Sequence, residues 1–224
     1  MVALPTRNIE NLTLTLQKRI STKLSGVFGC SLLPGDRMVF SSYRDDKIRV
    51  LKSDGSTDFI IKTIGQTFDV VFISDDSIAV TSGESNQINI IDLKKRKLRK
   101  SIKVDSNNDG VVYKDGHLIY CAREKGLQMI SLSDESITNV INNKLSIFAY
   151  VTTFGDKLFY TNYKHDSVTC CEYHGTILWT FCDKSLLLSP LGISIDNDGH
   201  VFVVGSGSHN VVIISPDGQR YRQL

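Results

Sequence analysis

Residues 190–218, PLGISIDNDGHVFVVGSGSHNVVIISPDG, decide the fold. The stretch opens on an alternating apolar run, Leu191, Ile193 and Ile195, and turns at Asn197-Asp198-Gly199. An apolar run follows, His200-Val201-Phe202-Val203, then a polar turn, Ser208-His209-Asn210. A third run, Val211-Val212-Ile213-Ile214, closes on Pro216-Asp217-Gly218. Short β-branched and aromatic runs between Asp-Gly turns read as strands joined by tight hairpins. Gln219–Leu224 begins a fourth strand.

The same unit recurs upstream about every forty residues. Second strands lie at Arg37–Phe40, Ser77–Val80, His117–Tyr120, Lys157–Tyr160 and His200–Val203. Third strands lie at Lys47–Val50, Gln87–Ile90, Leu127–Ile130, Val168–Cys171 and Val211–Ile214. First strands are expected at Val27–Leu33, Phe68–Ile73, Gly110–Lys114, Phe148–Thr153 and Gly192–Asp196. Fourth strands are expected at Asp58–Lys62, Leu98–Val104, Ile137–Ile141, Thr176–Phe181 and Gln219–Leu224. Pro34-Gly35-Asp36, Lys114-Asp115-Gly116 and Ser53-Asp54-Gly55 supply the turn chemistry between them. A helix over Asp92–Ser101 competes, but the isoleucines and valines on both sides favour strand.

Four strands at this period are the signature of a β-propeller blade, so the chain is expected to be all-β. Residues 1–10 read as a tail and 11–224 as the propeller, with blades near 27–63, 68–104, 109–141, 148–182 and 190–224. Leu12–Lys23 also alternates (Leu12, Leu14, Leu16 and Ile20 against Thr13, Thr15, Lys18 and Arg19) and reads as a strand of a closing blade. The pattern predicts a partial six-bladed propeller, five blades visible; a closed five-bladed ring is the alternative.

The 224 residues are 41% hydrophobic and 22% charged, with a net charge of +2, an ordinary globular composition. No apolar run is long enough to span a bilayer, and Met1–Glu10 lacks the apolar core of a secretory signal. The Asn11-Leu12-Thr13 sequon is then accidental, and the expected location is cytoplasmic, or nuclear. Cys30, Cys121, Cys170, Cys171 and Cys182 are odd in number and lack CxxC spacing, which argues against a disulfide framework or zinc site.

Residues 190–218 resemble an NHL repeat, whose usual stretch is a polar turn with Asn and His, an apolar strand and an Asp-Gly turn. The first blade keeps Lys47-Ile48-Arg49-Val50-Leu51 and Ser53-Asp54-Gly55. The middle three are eroded, with Leu93-Lys94, Ser133-Asp134 and His174-Gly175 at the Asp-Gly turn. Divergent propellers of this kind resemble the C-terminal domains of tripartite-motif (TRIM-NHL) proteins. That resemblance implies target recognition for a ubiquitin ligase, whose RING and B-box modules have no counterpart in this sequence.

Aligning the blades on the third strand places Arg44, Glu84, Arg123, Lys164 and Gly207 in the turns that crown one face. Tyr43, Lys125, Tyr163, His165 and His209 stand beside them. Cations interleaved with planar rings suit single-stranded RNA, or an acidic or phosphorylated peptide. The plainer reading is a solvated loop set, with Arg44, Arg123 and Lys164 offset by neighbouring acids. Lys94, Lys95, Arg96, Lys97, Arg99 and Lys100 form the densest charge, either a phosphate-binding patch or protection of a sheet edge.

A channel-metal hydrolase would need several inward carboxylates on the innermost strands. The aligned positions are Gly29, Asp69, Gly110, Ala149 and Gly192, so only Asp69 offers a ligand, and an inter-blade hydrogen-bond acceptor is its simpler role. His117 and His200 read as turn caps, and Trp179 as packed rather than a partner anchor. The sequence therefore predicts a non-catalytic recognition module for a protein, peptide or RNA, with no catalytic residue, cofactor or metal. A purely structural scaffold is the bland alternative.

Overall fold

The computed structural model describes residues 8–63, 65–74 and 76–224. Its first blade is Val27–Leu33 (β1), Arg37–Ser42 (β2), Lys47–Leu51 (β3) and Thr57–Lys62 (β4). The second is Val70–Ser74 (β5), Ser77–Thr81 (β6), Gln87–Asp92 (β7) and Lys97–Lys103 (β8). The third is Val111–Lys114 (β9), His117–Cys121 (β10), Leu127–Ser131 (β11) and Ile137–Ile141 (β12). The fourth is Val151–Phe154 (β13), Lys157–Asn162 (β14), Ser167–Glu172 (β15) and Ile177–Phe181 (β16). The fifth is Pro190–Ile195 (β17), Val201–Gly205 (β18), Asn210–Ile214 (β19) and Tyr221–Gln223 (β20). Each is an antiparallel meander in sequence order, and together they make the all-β propeller arrangement read from the repeat.

The hairpins form where the turn residues permit. Between β9 and β10, Asp115 and Gly116 both take positive φ, 46° and 81°, the geometry that matches the right-handed twist of the flanking strands. Asp92–Ser101 is β7, a turn and β8 rather than helix.

The chain divides into two compact units. Ile20–Ile147 holds the first three blades. Val39, Ile48, Val50 and Phe59 of blade one pack on Val70, Ile78 and Val80 of blade two. Ile88, Ile90 and Ile102 on the other side of blade two pack on Leu118, Tyr120 and Ile130 of blade three. Alternation along each strand thus gives a central blade two apolar faces, and burying each such side chain contributes about 1.5–3 kcal/mol. Polar latches join the same blades: Ser41 Oγ donates to the Phe68 carbonyl at 2.7 Å, and Thr67 Oγ1 to that of Ser42 at 3.0 Å.

Phe148–Leu224, with the described residues up to Arg19, forms the other unit. Phe159, Val168 and Cys170 of blade four pack on Val201, Val203, Val212 and Ile214 of blade five. Trp179 joins this core, its Nε1 donating to the Pro216 carbonyl at 3.1 Å.

The strand expected over Leu12–Lys23 does not form. Instead Ile9–Asn11 makes a 3-10 turn whose Ile9, with Leu12, packs on Ile213 and Phe202. The Arg222 guanidinium donates to the carbonyls of Glu10 and Leu12, at 3.0 and 2.7 Å. Leu14 and Leu16 remain 60% and 73% exposed. Alternation alone makes no strand: the backbone needs an edge to pair with, and here a side chain of the short β20 occupies the two carbonyls.

The outer strands share a device. Asp58 in β4, Arg99 in β8 and Leu178 in β16 are each the extra residue of a bulge against the third strand. Bulges twist an edge and blunt its pairing with other chains.

Candidate functional site

The turns that crown the first three blades converge inside the Ile20–Ile147 unit. Phe28 of β1 packs on Tyr43 and on Phe68, with ring centroids 5.4 and 5.2 Å apart. The Tyr43 hydroxyl donates to Glu84 Oε1 at 2.8 Å, tying the turn of blade one to that of blade two. Burial and the Glu84 carboxylate push the Tyr43 phenol up. Arg44, beside it, is exposed, its aliphatic stem lying over Gly26.

Blade three adds Arg123, held at φ 38° in the 3-10 turn Arg123–Lys125. Its Nε donates to Asp109 Oδ2 at 3.0 Å and its Nη2 to Asp109 Oδ1 at 2.9 Å. The Asp109 side chain is 0% exposed and that of Arg123 17%, so the fork closes over a buried carboxylate. A bidentate charge-assisted pair of this kind has geometric as well as electrostatic strength. Arg123 is therefore a brace within blade three. Lys125 pairs with Asp105, and Glu124 with Lys144 at 2.7 Å.

Beneath the crown lies Asp69, enclosed where β5 begins. Its Oδ1 accepts from the Val70 amide at 2.8 Å and its Oδ2 from the Val111 amide of blade three at 2.9 Å. Burial pushes its carboxyl up to about 7; the two amides oppose the shift and the Asp109 charge adds to it. A side chain at Gly29 would come within 2.5 Å of Asp69 Oδ1, which explains the small residue aligned there in blade one. The inward carboxylate is thus an inter-blade acceptor.

Tyr163, Lys164 and His165 crown blade four in the other unit, Lys164 and His165 exposed. Tyr163 meets Phe148 edge-on at 5.7 Å, and His165 Nδ1 lies 3.3 Å from Asn162 Nδ2. His209 crowns blade five, exposed, at φ 54°.

The basic run is divided by its own blade. Lys94 pairs with Asp76 at 2.6 Å and Lys100 with Glu135 of blade three at 2.7 Å. The Lys95 amide donates to Asp92 Oδ1 at 2.7 Å, closing the turn. Arg99 lines a cavity of about 360 Å³ on the blade-three side with Ile73, Ser77, Ile90 and Leu132. Arg96 and Lys97 open toward blade one, where Arg96 lies over the Phe59 ring, 4.5 Å from its centroid.

Asp196, Asp198 and His200 bring ligand-type atoms within 4.8 Å of one another. Asp196 is engaged in its turn, accepting from the amides of Asp198 and His200 at 3.0 and 2.9 Å and meeting His200 Nδ1 at 3.1 Å. Asp196 caps this turn, and the buried His200 ring sits against its carboxylate. The adjacent Cys170 and Cys171 thiols offer little nucleophilic chemistry: burial pushes Cys170 up to about 11 and Cys171 up to about 12.

Asp109 and Phe28 are the crown residues that sequence reading missed. Asp109 precedes the first strand of blade three, and its partner stands fourteen residues on, across two strands. Only the blade alignment, which puts the start of a first strand and the end of the antiparallel second strand at one face, links them.

No protein-family model matches the chain, and no curated protein matches it. Solved structures resemble it. Virginiamycin B lyase from Staphylococcus aureus superposes with a TM-score of 0.72 at 19% identity, over 89% of this chain and 69% of the lyase. A Bacteroides thetaiotaomicron protein of unknown function gives 0.76 at 11% identity, over 90% of this chain and 58% of that one. The WD40 β-propeller domain of Doa1 gives 0.69 at 16% identity, over 82% and 62%. At such identities the likeness concerns architecture alone, and the architecture it identifies is the β-propeller.

Proposed function

We propose that this chain is a non-catalytic recognition propeller that binds a protein or RNA target through its crowning turns. The observation that carries the reading is the division of labour among charged groups. The inward carboxylates serve structure: Asp69 holds two amides and Asp109 holds the Arg123 fork. Arg44 on the turn of blade one, and Lys164, His165 and His209 on the turns of blades four and five, are exposed. The resemblance of residues 190–218 to an NHL repeat supports a finer form, in which the propeller chooses targets for a TRIM-type ubiquitin ligase. Ubiquitin transfer would then be carried by zinc modules outside the propeller.

The test is titration of random-sequence single-stranded RNA with wild type and with the Arg44→Glu/Lys164→Glu variant, at about 0.05 and 0.2 M salt. Arg123 is left intact because its loss would uncover Asp109. Binding that falls steeply with salt and with charge reversal makes the substituted turns RNA contacts. No binding at low salt removes RNA and leaves a protein target. Binding unchanged by the variant takes the crown out of recognition.

A further inference from the structure

A groove runs between the outer strands of the first two blades, within the Ile20–Ile147 unit. Its volume is about 530 Å³. Strands β4 and β8, which flank it, are each last in their sheets. The bulge at Arg99 decides what the groove contains. With that extra residue, Leu98 and Ser101 open on the same side although three positions apart. Without it, alternation would turn Leu98 away.

Leu98 and Ile60 face the groove 43% and 44% exposed. They are exposed aliphatic side chains in a groove with a charged rim, and apolar surface in such a setting marks an interaction site. Lys62, Arg96 and Lys97 make that rim. Among the described lining residues there is no carboxylate, so the rim's charge is not offset inside the groove. Arg96 is held in place by the Phe59 ring beneath it, which reduces the ordering cost of binding through it.

From this geometry we infer that the groove is a second recognition surface, for an extended acidic peptide segment with aliphatic residues at its centre. Carboxylates meet Lys62, Arg96 and Lys97, and the aliphatic side chains cover Ile60 and Leu98. Charge complementarity selects the sign of the partner. The lining also separates peptide from nucleic acid: none of the described lining residues is aromatic, whereas single strands bind by stacking bases on rings. The inference does not depend on what the crown binds.

The test uses the whole chain and a fluorescein-labelled nonapeptide, three aliphatic residues between acidic triplets, followed by anisotropy at about 0.1 M salt. Two further probes are the same peptide with amides for acids, and poly-uridine RNA. The acidic peptide is expected to bind saturably and the amide peptide about tenfold more weakly or worse. Arg96→Glu/Lys97→Glu should weaken the acidic peptide about tenfold, and Leu98→Gln several-fold. Circular dichroism checks that the variants fold, and Lys157→Glu, at the start of β14 in the other unit, should leave this binding unchanged. The proposal is overturned if acidic and amide peptides bind alike, if neither groove variant weakens binding, if RNA binds there in preference, or if no binding appears up to about 1 mM peptide.

Discussion

Removing the Arg123 guanidinium should destabilise the protein more than any loop substitution of its size ordinarily does. Arg123→Met keeps the aliphatic stem and deletes the fork, leaving Asp109 with a side chain 0% exposed and two oxygens that had accepted at 2.9 and 3.0 Å. Breaking one side of a buried pair costs about 3–5 kcal/mol, because the remaining charge keeps its desolvation penalty without its partner. At about 3 °C per kcal/mol for a chain of this size, Tm should fall by about 10–15 °C. The reverse variant, Asp109→Asn, should cost less: Arg123 is already 17% exposed and can turn toward water, while the amide keeps one acceptor. Thermal unfolding of both single variants and the double variant closes a cycle, with an expected coupling of about 2 kcal/mol. A Tm loss below about 3 °C for Arg123→Met, equivalent to roughly 1 kcal/mol, would refute the brace. If RNA or peptide binding vanished at the same time, Arg123 would instead be a ligand contact.

Asp69 makes stability depend on pH. Its carboxyl lies near 7 in the folded chain, above the unfolded value of about 3.9, so the folded state holds the proton more tightly. The stabilisation is full below about pH 4 and lost as pH rises through 7. Between pH 5 and 8 the loss should be about 2–3 kcal/mol in urea unfolding. Asp69→Asn should flatten that slope, and an unchanged slope would assign it to other groups. Gly126→Ala should cost at least about 3 kcal/mol or abolish soluble expression. It adopts φ 77°, and a Cβ would stand 2.0 Å from the Ile141 carbonyl oxygen, a backbone atom that cannot move aside. Gly218→Ala should displace Trp179, whose Cδ2 would lie 2.5 Å from the new methyl. Trp179 is the single tryptophan, so a shift in its emission reports the change directly, and an unshifted spectrum would contradict the packing.

The blades were legible because their signals are local. Hairpins with Asp115-Gly116 or Asp54-Gly55 at the tip, flanked by period-two apolar runs, specify strand, turn and strand within a dozen residues. Leu12–Lys23 shows where that logic stops. Its alternation is as regular as that of β3, yet a strand is a property of two segments, and the sequence cannot say whether an edge lies alongside. The chain meets side chains there, Arg222 above all, and remains unladdered.

The candidate site was legible by position and not by chemistry, for the same reason one level up. Alignment placed Tyr43, Glu84 and Arg123 on one crown, and the structure brings them to one crown. What it could not tell was which charges would be consumed within the fold. Sequence offers Glu124, the next residue, as the acid that offsets Arg123. The actual partners are Asp109 and Asp105, fourteen and twenty residues away, delivered by the return of the chain from one strand to the next. Glu124 goes to Lys144 instead. In a meander, the turn between the second and third strands faces the start of its own first strand, which is how acids fourteen and twenty residues upstream reach Arg123 and Lys125. The same return of the chain brings Lys94, in the turn between β7 and β8, to Asp76, in the turn between β5 and β6, while Arg96 and Lys97 line the groove. In the second blade the cations that line an open surface therefore lie on its outer edge, while its crown turn carries Glu84, held by the Tyr43 hydroxyl.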